Sequence, residues 1–582
     1  MKMTYTRAFS LATALCLLLG LALGCSSAST EQAASQTAQA AAGTSQTEQA
    51  TEQAVEQPTA NDGTFTPPEG FTGGTPPQGF PGNFDGSNMP GGTPPDGFNG
   101  NFCGGTPPQG FPGNFDGSNM PGGTPPDGFN GNFNGGTPPQ GFNGNFDGNM
   151  PNGTPPSGGM GEPPSGGMPG GGPGGSSADV TYSGAVEITS ADSRSNETYE
   201  STTADQSALL IATDQAVTIT DATVNKTGNS DGGDSCNFYG LNAAVLAKGG
   251  AQVTITGGTI TSDANGANGV FSYGGNGGQN GAAGDGTTVT IRDTTITTTG
   301  SGSGGIMTTG GGVTYAYDLN VTTSGQSSAA IRTDRGGGTV YVDGGTYTSN
   351  GLGSPAIYST AEIHVANASL VSNLSEGVCI EGKNSIELVD CDLTANNTGM
   401  NGNATFLDSI MIYQSMSGDA DSGTSSFTMT GGTLTSLSGH VFHVTNTNAI
   451  ITLSGVTVVN EDSEGVLLSV SDDGWSGAGN VATLNADNET LEGLLLVGSD
   501  ATLTLNLTGG SAFTGAVSGA ISNAKGDVVS TEVGTVNVTL DESSTWTLTG
   551  DTYISSFTGD ASGVISNGYT LYVNGVALTG TK

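Results

Sequence analysis

Short runs in which apolar and polar residues alternate, such as VTIT, VTIR and VYVD, recur from Asp179 onward and are separated by Gly- and Asn-rich turns. Alternation with a period of two residues is typical of β-strands that bury one face. The first apolar residues of these runs fall into a register with steps of 23, 24 or 27 residues, and longer steps mark inserted loops. We call the first strand of each repeat strand one. Its first apolar residue in successive repeats is Val217, Val253, Val289, Val313, Val340, Ile363, Ile386, Phe427 and Ile451.

Two further sets of apolar residues follow strand one in each repeat. Strand two contains Val224, Ile260, Ile296, Tyr347, Leu370, Leu393, Leu434 and Val458, each seven residues after its start, and Val321, which comes eight after Val313. Strand three has its first inward residues at Val245, Val270, Ile306, Ile331, Ile357, Val378, Ile410, Val441 and Val466. Three short strands per repeat, with like residues stacked on like, predict an all-β right-handed parallel β-helix over residues 179–582.

The turn between strands one and two contains residues that tolerate a left-handed backbone. They are Asp221, Gly257, Asp293, Gly344, Asn367, Asp390, Gly431 and Gly455. We interpret this column as a structural turn rather than a calcium ladder. The stretch from Thr535, with Trp546 and Tyr569, is expected to form the last coils and a cap, and residues 179–210 are expected to cap the other end.

The N-terminal third has a different pattern. Residues 1–24 combine Lys2 and Arg7 with an apolar run that is short for a transmembrane span, and Ala22-Leu23-Gly24-Cys25 resembles a bacterial lipoprotein cleavage box. This resemblance implies that Cys25 receives the lipid; a plain secretory signal is the alternative. No cell-wall sorting signal or outer-membrane barrel pattern is recognised at the C-terminus.

A tether and a stalk separate this signal from the β-helix. Residues 25–60 contain mostly Ala, Gln, Ser, Thr and Glu, which predicts a disordered polar tether. Residues 61–178 repeat with a 31-residue period marked by TPP and Gly, and they lack the aliphatic residues of a core. We interpret them as a Gly/Pro-rich, semi-flexible stalk. The alternative is weak aromatic contact with cell-wall polymer through Phe80, Phe84, Phe98 and Phe102.

Composition and charge exclude some classes of function. Of the 582 residues only 11% are charged, and 52 acids against 11 bases give a net charge of −41. A nucleic-acid-binding protein needs a basic face, so this class is excluded, and electrostatic docking on anionic lipid is disfavoured. No cysteine and histidine spacing typical of zinc is present. A disulfide between Cys379 and Cys391 stays open as an alternative to free thiols.

The registered coils resemble the pectate-lyase-like β-helix superfamily, and more closely the adhesin-like surface lipoproteins of bacteria. The resemblance covers residues 179–582. It implies the β-helix fold and a carbohydrate-binding or polysaccharide-cleaving function, but β-helices host many functions. It also implies a chain exported and anchored by lipid to the outer face of a bacterial membrane.

The outward side of strand three has an unusual composition. Its first outward column is Leu246, Phe271, Met307, Arg332, Tyr358, Cys379, Met411, Phe442 and Leu467. Its second is Lys248, Tyr273, Thr309, Asp334, Thr360, Glu381, Tyr413, Val444 and Ser469. An exposed apolar and aromatic stripe usually marks a contact surface. We therefore predict ligand binding by Phe271, Tyr273, Arg332, Asp334, Tyr358, Glu381, Tyr413 and Trp475. Two alternatives stay open: loops 274–286 and 394–408 could cover the stripe, or the register could be wrong.

The loops beyond strand three collect carboxylates. Asp419, Asp421, Asp472 and Asp473 could hold calcium through their oxygens, although no recognised calcium-loop spacing supports this. Trp475, in the loop SDDGWSG, is either a platform for a sugar ring or a plug over the core. No cofactor other than calcium is indicated.

Three functions remain. The first is a surface lipoprotein whose β-helix binds an extracellular polymer, with carbohydrate favoured. The second is a lyase-type enzyme, with Arg332 or Arg335 as base; a glycosidase pair would be Asp334 with Glu381. The third is a protein-binding adhesin or structural surface protein. We interpret His443 as a core residue, with His440 on the other face, and recognise no GxSxG, P-loop or HExxH motif. Binding without catalysis is therefore favoured, but whether the chain is an enzyme is left open, as is the number of associated chains.

Overall fold

The computed structural model describes residues 180–582, apart from 231–232, 403 and 474–478. Several predicted features lie outside the described residues: the signal (1–24), Cys25, the tether (25–60), the stalk (61–178) and Trp475. Three long sheets of parallel strands run through the described part. The first ten coils contribute one strand to each sheet in turn, and the later coils contribute strands to two of the sheets. This is the right-handed parallel β-helix with three strands per coil that the hydrophobic register predicts.

We name the sheets after strands one, two and three. Sheet 1 contains Asp192–Ser195, Ala216–Thr220, Gln252–Thr256, Thr288–Arg292, Gly312–Tyr317, Gly338–Asp343, Glu362–Ala366, Ser385–Val389, Thr424–Thr430, Asn448–Ser454, Asn480–Asp487, Ala501–Thr508, Thr535–Leu540 and Ser556–Thr558. Sheet 2 contains Thr198–Ser201, Thr223–Lys226, Thr259–Ser262, Thr295–Thr298, Asn320–Thr323, Thr346–Ser349, Ser369–Ser372, Asp392–Asn396, Thr433–Ser438 and Thr457–Asn460. Sheet 3 contains Gly184–Ile188, Ser207–Ala212, Val245–Lys248, Val270–Tyr273, Ile306–Thr309, Ile331–Thr333, Ile357–Ser359, Val378–Glu381, Asp408–Tyr413, His440–Thr445, Val466–Val470, Thr490–Val497, Ala512–Ser518, Thr545–Leu548 and Val564–Ile565.

The inward residues of the three sheets form one continuous hydrophobic core along the helix axis. Each coil buries only a few apolar side chains, so the core exists only because identical positions stack from coil to coil. The turn between sheets 1 and 2 is left-handed as expected, for example at Asp221 (φ 49°), Asp293 (φ 53°) and Gly431 (φ 65°). A Cβ atom on Gly431 would come within 2.2 Å of Oδ1 of Asp390 in the preceding coil, so this column packs too tightly for most residues there.

Serine and threonine line the corner between sheets 2 and 3. At this corner, paired sheet 2 positions include Ser262, Thr298, Thr323 and Ser349, all fully buried. The hydroxyl groups of Thr298, Thr323 and Ser349 donate to main-chain carbonyls, as in the bond from Thr323 Oγ1 to the Ser328 carbonyl (2.5 Å), whereas the Ser262 hydroxyl has no partner. These bonds satisfy groups that would otherwise be buried without a partner.

The predicted register is wrong in two regions. Thr314, not Val313, pairs with Val289 and Val340, and the Thr314 hydroxyl lies inside the core, 2.7 Å from that of Thr308. Because Thr314 takes the place of Val313 as the first inward residue of this column, Val321 follows it by seven residues, as in every other coil of strand two. A buried threonine pair is not visible in a search for apolar residues.

The second correction lies in strand His440–Thr445. Phe442 pairs with Ile410 and is inward, and His443 pairs with Met411 on the outward side. The interpretations of Val441 and Val466 as first inward residues, and of His443 as an inward residue, are therefore wrong. The next strand follows this shift, because Ser469 pairs with His443 and is outward, whereas Leu468 pairs with Phe442.

The N-terminal end of the β-helix differs from the expected cap, whereas the C-terminal end agrees with the expected last coils. Strands Gly184–Ile188, Asp192–Ser195 and Thr198–Ser201 pair with the next strands of all three sheets, so residues 184–201 form a first coil rather than a separate cap. At the other end Trp546 is fully buried in the last coils. A small sheet of Thr552–Ile554, Leu571–Val573 and Val576–Ala577 and a 3₁₀ turn, Ala561–Gly563, follow.

Three segments lie over the outward side of sheet 3. They are the segment around the helix Asp234–Tyr239, the loop 274–286, and the loop 404–407 together with the hairpin Ile521–Ser522 and Val528–Ser530. The loops 274–286 and 394–408 were expected as covers, whereas the helix was not. Cys379 and Cys391 are both buried free thiols, so the disulfide alternative is wrong. Within the described ranges, no helix is long and apolar enough to cross a membrane.

Candidate functional site

The outward side of sheet 3 carries one column of side chains through eleven paired strands. The column runs Leu210, Leu246, Phe271, Met307, Arg332, Tyr358, Cys379, Met411, His443, Ser469 and Leu496. Neighbouring strands are about 4.8 Å apart, so the column extends for nearly 50 Å. Its chemistry changes from apolar to charged to polar along this length.

The apolar end is buried rather than exposed. Phe271 is fully buried and Tyr273 is 8% exposed, and both pack in one cluster with Phe238 and Tyr239 of the covering helix. The Tyr239 and Tyr273 rings meet edge to face, with centroids 5.8 Å apart. The exposed ridge that we expected at these two residues is therefore wrong, because a segment inserted between strands Thr223–Lys226 and Val245–Lys248 covers it.

The middle of the column forms what we call the charged cluster: Arg332, Asp334, Arg335, Tyr358, Glu381, Tyr413, Ser415, Ser417 and Asp419. Five of the predicted ligand-binding residues, Arg332, Asp334, Tyr358, Glu381 and Tyr413, belong to it. Arg332, Arg335, Tyr358, Tyr413 and Asp419 are each partly exposed, whereas Asp334 and Glu381 are buried. The cluster therefore presents guanidinium groups, phenol rings and hydroxyls to solvent over a buried layer of carboxylates.

Glu381 is the centre of this hydrogen-bond network. Its Oε2 atom accepts hydrogen bonds from the hydroxyls of Tyr358 (2.5 Å) and Tyr413 (3.1 Å). Its Oε1 atom accepts from the hydroxyls of Ser415 and Ser417, the latter at 3.1 Å. Burial, followed by the charge of Glu381, raises the pKa of both tyrosines well above the usual value, so both keep their protons and donate them.

The two arginines are held by separate carboxylates. The Arg332 guanidinium forms an ion pair with Asp334 and lies over the Tyr358 ring, 5.3 Å from its centroid. Its Nε atom is buried and has no hydrogen-bond acceptor. Burial raises the pKa of Asp334 to about 6, while the Arg332 charge acts in the opposite direction. Arg335 Nε bonds Asp419 Oδ1 (2.9 Å), and its guanidinium carbon lies 4.2 Å from the Phe238 centroid.

The loop 274–286 forms one rim of the cluster. Asn276 Nδ2 donates to the Gly336 carbonyl (2.7 Å), and the Gly336 N–H donates to Asn280 Oδ1 (3.1 Å). These bonds fasten the loop to the turn after Arg335. They position Arg335 between this rim and the loop that carries Ser415, Ser417 and Asp419.

The four carboxylates considered for calcium have separate contacts. Asp419 and Asp421 pair with Arg335 and with Lys383 (2.9 Å), respectively. Asp472 is exposed, and buried Asp473 accepts a hydrogen bond from the N–H of Thr405 (2.7 Å). Among the described residues, no group of three or more His, Cys, Asp or Glu side chains has an arrangement that could hold a metal ion. The calcium site stays a prediction without support from these contacts.

Two polar features were missed from the sequence. The first is an exposed column on sheet 1, in which the rings of Tyr315, Tyr341 and His364 stack with centroids 5.1 and 5.0 Å apart. The second is the group around Ser469, whose hydroxyl contacts the rings of both His440 and His443. A period-two search that scores only hydrophobicity cannot find either feature, because the residues involved are outward and polar.

Comparisons with known proteins give no relative. No protein-family model, no curated protein and no solved structure matches this chain significantly. The assignment of the fold accordingly rests on the strand pairing and the register described above.

Proposed function

We propose that this chain is a lipid-anchored surface protein whose β-helix binds an extracellular carbohydrate polymer through the charged cluster. The lipid would be attached at Cys25, and the protein would resemble adhesin-like β-helix lipoproteins of the pectate-lyase-like superfamily. The observation that carries the proposal is the composition of the cluster. Partly exposed Arg332, Tyr358 and Tyr413 lie together on an otherwise covered face, above a buried acceptor, Glu381.

The chemistry of the cluster suits a hydroxyl-rich chain. Guanidinium N–H groups donate to sugar oxygens, the partly exposed Asp419 carboxylate accepts from sugar hydroxyls, and the partly exposed phenol rings offer apolar contact to C–H faces. The hydrogen-bond network fixes these groups before a ligand arrives, which lowers the entropy cost of binding. A binding role also agrees with the pairing of Arg332 to Asp334, since a guanidinium held in an ion pair is a donor rather than a base.

The proposal is tested with a polysaccharide array probed with the purified chain, once with calcium and once with a chelator. Binding to neutral glycans in both conditions, weakened by Arg332→Ala, supports it. Binding only to uronates and only with calcium would favour the acidic loops and the lyase alternative. No binding to any glycan, with binding to a host protein, would replace it with the protein-adhesin alternative.

A further inference from the structure

A second polar group lies further along the same outward column, under the loop 404–407. The Ser469 hydroxyl oxygen is 2.6 Å from Nδ1 of His443 and 2.8 Å from Nδ1 of His440. On the far side of the His443 ring, Nε2 lies 3.8 Å from Oδ2 of Asp473. Ser469, His443 and Asp473 are all at most 1% exposed, so bulk water does not compete for these contacts.

One assignment of protons satisfies the two short contacts and the pairing with Asp473. His440 donates from Nδ1 to the serine oxygen, Ser469 donates to Nδ1 of His443, and the His443 proton on Nε2 points toward Asp473. Burial lowers the pKa of both histidines, so His443 is neutral and its Nδ1 lone pair is free to accept. Nε2 of His443 and Oδ2 of Asp473 are each buried without a hydrogen-bond partner. A contact of 3.8 Å between them is the kind that shortens when the histidine becomes charged.

The group has a cavity beside it and an apolar cover above it. His440 lines a cavity of about 230 Å³ together with Asn397, Phe406, Asp462 and Asn523. The Phe406 ring stacks on the His443 ring with centroids 4.4 Å apart and packs against Ile521 of the covering hairpin. Asp473 also holds the cover, because it accepts a hydrogen bond from the N–H of Thr405 (2.7 Å).

We propose that Ser469, His443 and Asp473 form a catalytic site in which Ser469 is the nucleophile for hydrolysis of a small O-acyl ester. A serine on a neutral imidazole that faces a carboxylate is the arrangement that generates an alkoxide nucleophile. The cavity reaches the group at His440, and we expect the acyl group to be small because Ser469 itself is fully buried. This site is four strands from Tyr358, about 19 Å, and does not depend on the proposed carbohydrate binding.

The reaction uses only the ester and water. The Ser469 oxygen bonds to the acyl carbon while its proton passes to Nδ1 of His443, and Asp473 stabilises the resulting imidazolium. The bond from the acyl carbon to the alcohol oxygen breaks, and the alcohol leaves with the proton held on His443. A water molecule then adds to the acyl-serine, returns one proton through His443 to the Ser469 oxygen, and releases the carboxylic acid.

The experiment is covalent labelling of the whole chain with a fluorophosphonate, followed by peptide mass spectrometry. We expect modification of Ser469 in the wild-type protein, loss of modification in His443→Gln, and labelling at least about tenfold faster in Phe406→Ala, because the cover must open for access. Turnover of p-nitrophenyl acetate should follow the same order. The matched control is Ser471→Ala, which removes an equally buried hydroxyl outside the group and should leave labelling unchanged.

If Phe406→Ala does not fold, Ile521→Ala replaces it, since Ile521 supports Phe406 from the hairpin. Circular dichroism and a cooperative melting curve identify the folded variants. The proposal is overturned if Ser469 stays unmodified both in the wild-type protein and in a folded cover variant. It is also overturned if His443→Gln is labelled at the wild-type rate, because the reactivity of Ser469 would then not depend on His443.

Discussion

The Tyr358 hydroxyl donates a hydrogen bond of 2.5 Å to Glu381 in the next coil of the β-helix, and this bond joins two strands through their side chains. The same carboxylate accepts from Tyr413, one coil further on. Three successive strands of sheet 3 are therefore connected by one buried acceptor. The arrangement orients both phenol rings, and the Tyr358 ring in turn supports the Arg332 guanidinium.

Removal of the Arg332 side chain is expected to weaken carbohydrate binding about tenfold, which corresponds to about 1.4 kcal/mol. The guanidinium is partly exposed and contributes donors to the surface, so its loss removes contacts with the ligand. Binding is measured by isothermal titration with the strongest glycan of the array. Arg292→Ala is the matched control, because Arg292 also lies over a tyrosine ring, that of Tyr317, but on sheet 1. Equal loss of binding in both variants would indicate general charge effects rather than a site.

The variant Tyr358→Phe distinguishes two roles of Tyr358: the hydrogen bond of its hydroxyl to Glu381, and the contact of its ring with the ligand. It keeps the ring and removes one of the four donors to buried Glu381, so the free energy of unfolding should fall by about 1–2 kcal/mol. Binding should weaken less than in Arg332→Ala, since the ring remains. Chemical denaturation and titration measure the two effects. A stronger loss of binding than in Arg332→Ala, with unchanged stability, would mean that the hydroxyl contacts the ligand directly.

The corrected register makes a prediction about two adjacent residues. Thr314 is inside the core, whereas the neighbouring Val313 is partly exposed on the outward side. Thr314→Asp should prevent folding or cost more than about 4 kcal/mol, because it buries a carboxylate among apolar residues. Val313→Asp should change the free energy of unfolding by less than about 1 kcal/mol. Thermal melting of both variants measures the difference, and the reverse order would restore the register read from hydrophobicity.

The repeat architecture could be predicted because it depends on stacking of like residues, which the sequence displays directly. Ile255 and Ile291, for instance, are paired positions in adjacent coils, and both are apolar at a fixed offset from a left-handed turn. The register failed where a polar residue took an inward position, as at Thr314. It also failed at Phe442, which follows a β-bulge between Ser436 and Ser438 in the preceding strand. A hydrophobicity pattern looks the same when an inward residue is polar, or a strand is shifted by one residue, as it does when apolar and polar residues alternate regularly.

The candidate site was predictable in part for a similar reason. Outward residues of consecutive strands, such as Arg332 and Tyr358, are neighbours once the strands are registered. The cover over Phe271 was not predictable, because it depends on how the segment around the helix Asp234–Tyr239 folds back. The contact between His443 and Ser469 was missed because it required the corrected register.

Lipid attachment is expected at Cys25, the residue that follows Ala22-Leu23-Gly24. Cys25→Ser should abolish incorporation of a fatty-acid analogue and release the protein from the membrane fraction of a bacterial host. The measurement is metabolic labelling followed by fractionation. Cys103→Ser, in the repeat region, serves as the matched control and should label normally. Membrane association that persists in Cys25→Ser without a lipid would show an uncleaved signal segment as the anchor.

Buried Lys226 should make stability depend on pH in the alkaline range. Its side chain is fully buried in sheet 2, and the ammonium group donates to the carbonyls of Thr203 (2.9 Å) and Gly228. Burial lowers the pKa of Lys226 to about 8 from its usual 10.5. Between these two values the unfolded chain holds more protons than the folded protein, so the contribution of Lys226 to stability increases as pH rises.

The comparison of wild type with Lys226→Met isolates this effect. The stability of the wild type relative to the variant should improve between pH 8 and pH 10.5, by an amount on the order of 2–3 kcal/mol. Chemical denaturation at several pH values provides the free energies of unfolding. Exposed Lys525→Met is the control and should show no such trend. A difference between wild type and Lys226→Met that stays constant over this range would mean that Lys226 keeps an ordinary pKa despite its burial.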